Sequence, residues 1–177
     1  MRREITEKIE VPEGIEVEIA GGKIKMKKGT QEAERAYEGF NAKIEGRTIT
    51  LHFKEATKRE KKLIKTTLAH LKNMLKGMDK KFVYKLQVCA VHFPMAITMD
   101  KTKNEMLIKN FLGEVKPRIA KLVKNVDVKI DKDIITVECH DKESAGQTAA
   151  NIESAVRITN RDRRVFQDGI FITEKPE

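Results

Sequence analysis

The sequence predicts an α+β protein of two tandem, similar domains, each a mostly antiparallel β-sheet with one main α-helix packed on a face. Three features carry that expectation. Strict alternation of apolar and charged residues recurs along the 177-residue chain, and alternation is the period of a half-buried strand. Two other stretches repeat apolar residues every three or four positions, the period of a helix face. Finally, the segments 14–27 ("GIEVEIAGGKIKMK") and 125–138 ("NVDVKIDKDIITVE") align without a gap, which points to a duplication with copies in residues 1–80 and 81–177.

In 14–27, Ile15, Val17, Ile19, Ile24 and Met26 alternate with polar residues across a tight turn at Ala20-Gly21-Gly22-Lys23. Their counterparts are Val126, Val128, Ile130, Ile135 and Val137, turning at Asp131-Lys132-Asp133. "AKIEGRTITLHF" reads as another strand pair, turning at Glu45-Gly46-Arg47. A helix follows on Ile64, Leu68, Leu71 and Leu75, with Gly77 where a C-cap is expected, so the domain boundary falls near Gly77–Lys81. Beyond it, "FVYKLQVCAVHF" (82–93), "AITMD" and "EMLIKNF" read as strands. The second helix carries Ala145, Ala149, Ile152 and Val156 on one face, with Ser144 or Asp141 to cap its start.

After that helix comes "RITNRDRRVFQDGIFITEKPE". Arg157 falls at the helix C-terminus, where a cation suits the dipole, and Asn160 and Asp162 suggest a turn. Arg161, Arg163 and Arg164 follow, then an apolar strand-like "GIFIT", with Phe166 and Phe171 available to pack on the domain. The segment reads as a basic turn pinned at both ends rather than as a loose basic tail.

Composition narrows the function. Thirty-six Lys+Arg against 27 Asp+Glu give a net charge of +9, and a balance of that size predicts an anionic partner, most commonly nucleic acid. Charged residues make up 36% of the chain, well above the usual quarter or so, and with no Trp and few aromatics this fits a heat-adapted source. No apolar run approaches the roughly 20 residues of a membrane helix, the charged N-terminus lacks a signal core, and two cysteines make no disulfide scaffold. The positive charge is uneven. Residues 1–20 are acidic, 61–85 carry eight Lys and one acid on what reads as a helix with one basic face, and 101–124 hold seven Lys/Arg and two Glu. The last zone contains "IKNFLGEVKPR", where Gly113 and Pro117 break regular structure among Lys109, Lys116 and Arg118. A Gly/Pro-bent basic loop can follow a phosphate backbone closely. Any one cluster could be solvated charge; three together favour RNA. No RRM, KH or double-stranded-RNA-binding signature appears, so the expected mode is recognition of folded RNA by shape and phosphate.

Metal and catalytic readings find little support. Cys89, His92, Cys139 and His140 could be imagined as a zinc set, but both pairs lie in strand-like stretches without knuckle turns, and alternation turns Cys139 inward while His140 points out. Gly-x-Ser-x-Gly, phosphate-loop and His-Glu-x-x-His motifs are absent from the sequence.

Four stretches, "VPEGIEVEI", "TTLAHLKNMLKGM" running into "FVYKLQVCAVHFP", "IKNFLGEVKPR", and "NIESAVRITNRDRRVFQDGIFITEK", resemble the universal large-subunit ribosomal protein six family in its archaeal and eukaryotic branch, over essentially the whole chain. The resemblance implies two tandem domains of similar fold and a non-enzymatic, structural role in the cytoplasmic ribosome, with no cofactor, metal, membrane or small-molecule substrate. It implies binding of 23S rRNA, mainly through the second domain, near the sarcin–ricin loop and the stalk base. Neighbouring large-subunit proteins and nearby translational GTPases are the other expected partners. The bacterial branch carries a Gly-Lys-rich turn near its C-terminus; here the stretch reads Arg161-Asp162-Arg163-Arg164-Val165-Phe166. The expected contacts are Lys109, Asn110, Gly113, Lys116 and Arg118 in the loop and Arg157, Arg161, Arg163 and Arg164 in the tail, with Lys80, Lys81 and Lys85 second in rank. The rival expectation is a non-catalytic protein–protein adaptor that recruits partners on exposed strand edges.

Overall fold

The computed structural model describes residues 3–29, 31–100 and 102–176; Arg2 of the N-terminal zone and Lys101 of the third basic zone lie outside them. The protein is α+β, with antiparallel sheets and two helices, and the chain divides into two compact units, Met1–Lys80 and Lys81–Glu177.

In the first unit, β1 (Arg3–Glu10), β6 (Thr48–Ala56) and β5 (Asn41–Glu45) form one antiparallel sheet in the order β1-β6-β5. A second sheet is the meander β2 (Glu16–Ala20), β3 (Lys23–Lys28) and β4 (Gln31–Ala36). The β2–β3 turn is tight because Gly21 and Gly22 take φ of +57° and +74°, the left-handed pair that matches strand twist in a two-residue hairpin. Helix α1 (Lys58–Asp79) starts at Thr57, whose side chain accepts from the Arg59 amide while the Glu60 carboxylate accepts from the Thr57 amide, a capping box. Ile64, Leu68, Leu71 and Leu75 are buried on one face, together with Ile9, Ile24, Met26, Ile49 and Leu51 of the strands.

The expectation that Gly77 caps α1 is corrected. Gly77 is buried inside the helix, Met78 behind it joins the core, and the helix stops only when Lys80 turns extended (φ −142°) to enter the next strand. No left-handed cap is needed where the chain leaves a helix in extended form.

In the second unit, β7 (Phe82–Cys89) lies between β12 (Ile134–Cys139) and β13 (Gly169–Glu174), and β11 (Asp127–Asp131) completes the order β11-β12-β7-β13. The other sheet is again a meander, β8 (Ala96–Asp100), β9 (Glu105–Lys109) and β10 (Arg118–Lys121). Helix α2 (Lys142–Ala155) is capped by Asp141, whose carboxylate accepts from the amides of Glu143 and Ser144. Ala145, Ala149 and Ile152 face the core with Leu86, Ile108, Phe111, Ile135 and Val137, and Val156 closes the helix, also buried.

Two sequence expectations change here. Each unit holds two small sheets rather than one, because short meander strands pair among themselves. The hairpin in 125–138 also has a different counterpart. By order of pairing it stands where β5–β6 stands, directly before the helix and beside the unit's first strand, whereas β2–β3 stands where β8–β9 stands. The gapless likeness of 14–27 to 125–138 is the common alternation of half-buried hairpins.

Candidate nucleic-acid interface

Three irregular segments of the second unit are fastened to one another: 90–95 after β7, 110–117 between β9 and β10, and 157–168 between α2 and β13. Each is short of backbone partners of its own, so side chains hold them.

Arg118, the first residue of β10, is the main fastener. Its Nε and Nη2 make a bidentate pair with Glu114 at 2.8 and 2.7 Å, and its Nη1 donates to the carbonyls of Ala155 (3.2 Å) and Arg157 (3.0 Å). The guanidinium also lies 4.4 Å over the ring of buried Phe111. One side chain therefore ties the loop to the end of α2. The planar, five-donor guanidinium fits this task where an ammonium would not. Hydrogen bonding from Arg118 holds the Glu114 carboxyl below its usual range against the opposing effect of burial, and the charges of Arg118 and Arg161 add to the lowering.

The loop turns on left-handed backbone at three positions. Asn110, Leu112 and Gly113 have φ of +60°, +50° and +78°. Asn tolerates this conformation and Gly prefers it, while Leu112 is strained by roughly 1–2 kcal/mol. Asn110 is held by its Nδ2, which donates to the Pro94 carbonyl at 3.0 Å, so the loop is joined to 90–95 as well.

The third fastening is Asp168, only 2% exposed. Its Oδ1 accepts from the amides of Val91 (2.8 Å) and His92 (2.9 Å), and its Oδ2 lies 2.5 Å from His92 Nδ1. Burial pushes the Asp168 carboxyl up, but the His92 amide, the His92 ring and the Val91 amide together outweigh it and hold the group below its ordinary value. His92 in turn stacks on Phe166 (5.2 Å between centroids), and Arg161 lies 4.7 Å over the other partner of that stack, the Phe166 ring. The turn before it is closed by Asp162, whose carbonyl accepts from the amides of Val165 and Phe166 and whose carboxylate accepts from the Arg164 amide. Asn160 is left-handed there, as a turn residue should be.

The anticipated contact residues thus divide by role. Lys109, Lys116, Arg157, Arg163 and Arg164 are exposed, and among the described residues no ion pair involves them. Gly113 and Asn110 shape the loop. Arg161 is exposed on an aromatic ring. Arg118, in contrast, is half-buried and already engaged by Glu114, two backbone carbonyls and the Phe111 ring. Lys81 and Lys85 each have an anion already, Asp127 at 2.8 Å and Glu174 at 2.9 Å, and Lys80 is the residue that ends α1.

Asp168 escaped the sequence reading, and His92 entered it only as an imagined zinc ligand; the signal that could have pointed to a turn aspartate is "QDG". His92 faces Asp168 and Phe166 instead of Cys89, Cys139 is buried with its Sγ donating to the Asn125 carbonyl at 3.4 Å, and burial pushes its thiol up. Among the described residues no group of three or more His, Cys, Asp or Glu is arranged to hold a metal ion, and no helix is long and apolar enough to cross a membrane. Phe93, 47% exposed, borders Gly113 at the edge of the loop.

Residues 93–169, which include the 110–117 loop and the 157–168 turn, match the family model described as Ribosomal protein L6. Across nearly its full length the chain is similar to proteins named large ribosomal subunit protein uL6. It is 40% identical over 177 residues to that of Desulfurococcus amylolyticus (98% of this chain, 96% of the relative). The chain belongs to the uL6 family. The uL6 proteins of Methanococcus vannielii (39% over 173 residues, 97% of this chain and 94% of the relative) and Methanothrix thermoacetophila (38% over 177 residues, 99% of each) are similarly alike. The uL6 family is a structural, non-enzymatic one, and all three relatives are archaeal.

Proposed function

We propose that the chain is a structural constituent of the cytoplasmic large ribosomal subunit. Its two units are tandem domains of one duplicated fold, the second of which binds 23S rRNA near the sarcin–ricin loop and the stalk base and supports the region where translational GTPases dock. One observation carries the reading. The three loops are fixed by Arg118 and Asp168, and among the described residues no ion pair involves the exposed cations on or beside them, Lys109, Lys116, Arg157, Arg163 and Arg164. Fixed cations neutralise phosphates without the entropy loss of ordering a loose tail, and they fix register on folded RNA by shape. Asn110 and Gly113 let the loop backbone approach closely, and Arg161 reaches RNA from its seat on Phe166. Lys80, Lys81 and Lys85 are secondary contacts, the last two only by exchanging their carboxylate partners for phosphate.

The test is reversal of Arg161, Arg163 and Arg164 to Glu. Binding to a fragment of the sarcin–ricin region and incorporation into large subunits should be abolished, with thermal unfolding nearly unchanged. Affinity of the unaltered chain should fall by about 0.7–0.9 log units per log unit of salt for each phosphate neutralised. Salt-independent binding would sink the mechanism, and association with subunits that survives ribonuclease would favour a protein adaptor instead.

A further inference from the structure

Helix α1 presents a face that the loops of the second unit do not account for. Seven Lys/Arg lie within it against two acids, Glu60 and Asp79. At 3.6 residues per turn, Lys58, Lys62, Lys65, Lys72 and Lys76 fall within about 80° of arc, and the strip runs about 27 Å along the helix. All five are exposed, away from the buried face on Ile64, Leu71 and Leu75.

Neither acid in the helix offsets this charge. Glu60 is held in the capping box by Thr57, and Asp79 pairs with Lys28 of β3 at 2.5 Å. Lys65 is relieved by Glu7 at 2.6 Å. Among the described residues, no ion pair involves Lys58, Lys61, Lys62, Lys72 or Lys76. Lys58–Lys62, Lys61–Lys65 and Lys72–Lys76 are like-charge pairs four residues apart, which weaken a helix. A merely solvated helix face would gain by alternating Glu with Lys. This one is built against its own stability, and an external anion removes the penalty.

The chemistry of the strip selects the anion. Protein interfaces are depleted of Lys at their centres and anchored by aromatic residues, and α1 contains no Phe, Tyr or Trp. Stacking on single-stranded bases needs the same missing rings. A straight row of ammonium point charges suits regularly spaced phosphates. We propose that the lysine strip of α1 is a second, sequence-independent contact of this protein, made with the phosphate backbone of a double-stranded RNA segment.

The test uses the full chain and a labelled RNA duplex of about 20 base pairs and arbitrary sequence, titrated between about 50 and 200 mM salt. The quadruple variant Lys58→Gln, Lys62→Gln, Lys72→Gln and Lys76→Gln should bind at least tenfold more weakly at the lower salt. Its slope of log affinity against log salt should be shallower by about 3–4, near 0.9 for each lost contact. An unchanged slope overturns the proposal, as does capture of polyglutamate as tight as that of the duplex. The Arg161, Arg163 and Arg164 reversal, run alongside, separates the two surfaces: loss there with no loss in the helix variant sinks this inference and leaves the rRNA-binding loops standing. Should the quadruple variant unfold, Lys72→Gln with Lys76→Gln serves, with a slope change of about half the size. Added duplex should also raise the unfolding temperature of the unaltered chain more than that of the variant; an equal rise overturns the proposal.

Discussion

Exposed ion pairs decorate strand ladders in both units, but only the second unit's candidate interface is held together by buried and half-buried polar side chains. In the first, Lys23–Glu34 (3.0 Å) and Lys27–Glu32 (2.8 Å) join β3 to β4, with side chains 48–69% exposed. These strands already have a complete ladder of backbone hydrogen bonds, so the ion pairs decorate a fold held by its core. In the second, Asp168 is buried and Arg118 has its side chain only 25% exposed, and both hold chain that has no ladder. Polar side chains become structural where backbone pairing ends, and there the candidate interface lies.

Three substitutions would sharpen or break that contrast, taken from the largest expected effect downward. Asp168→Ala leaves two amides and an imidazole without their acceptor, and should cost about 3 kcal/mol in chemical denaturation, felt by the second unit alone. Because the folded Asp168 carboxyl sits below its unfolded value, its contribution is complete above the ordinary carboxylate pKa of about 4 and is lost as pH falls through the folded value. The unaltered chain should therefore lose stability more steeply than Asp168→Ala below about pH 4. Parallel acid curves would remove the carboxylate from the account.

Next comes Arg118→Lys, which keeps the charge but not the fork. It should cost about 1–2 kcal/mol and weaken rRNA binding severalfold, since the loop and the Arg157 backbone lose their tie. Full affinity in this variant would mean that the loops need no fastening. Least affected should be Lys27→Gln, measurable as a near-identical unfolding midpoint. A loss as large as that of Arg118→Lys would erase the distinction between the units.

The sequence disclosed the parts of the molecule that obey a short period. The stripes of α1 and α2, the hairpin turns, the α2 cap as a choice between Asp141 and Ser144, and the strand-like piece that is β13 were all legible, because each signal lies within a few neighbouring residues. β4 was not, since Gln31, Ala33 and Arg35 on its inward side offer no apolar pattern, and four-residue β10 is too short to alternate visibly. The exposed cations could be named, but the division of labour among them could not. Arg118 reads like any other basic loop residue until its carbonyl partners, 37 and 39 positions away, are known. Asp168 and the Val91 amide are 77 positions apart, beyond the reach of any local rule.

β13 pairs with β7 from Gly169 opposite Cys89 onward, and the Ile172 amide donates to Glu153 of α2 at 3.2 Å. Translation delivers β7 more than half a unit's length before β13, so during synthesis the edge of β7 stays open until that strand arrives. A chain interrupted ahead of Gly169 would keep its α2 stripe, its hairpins and the Asp168 tie, yet leave β7 with an unpaired edge, prone to capture by other strands. The strand of this sheet that is made last is thus also the one that shields it.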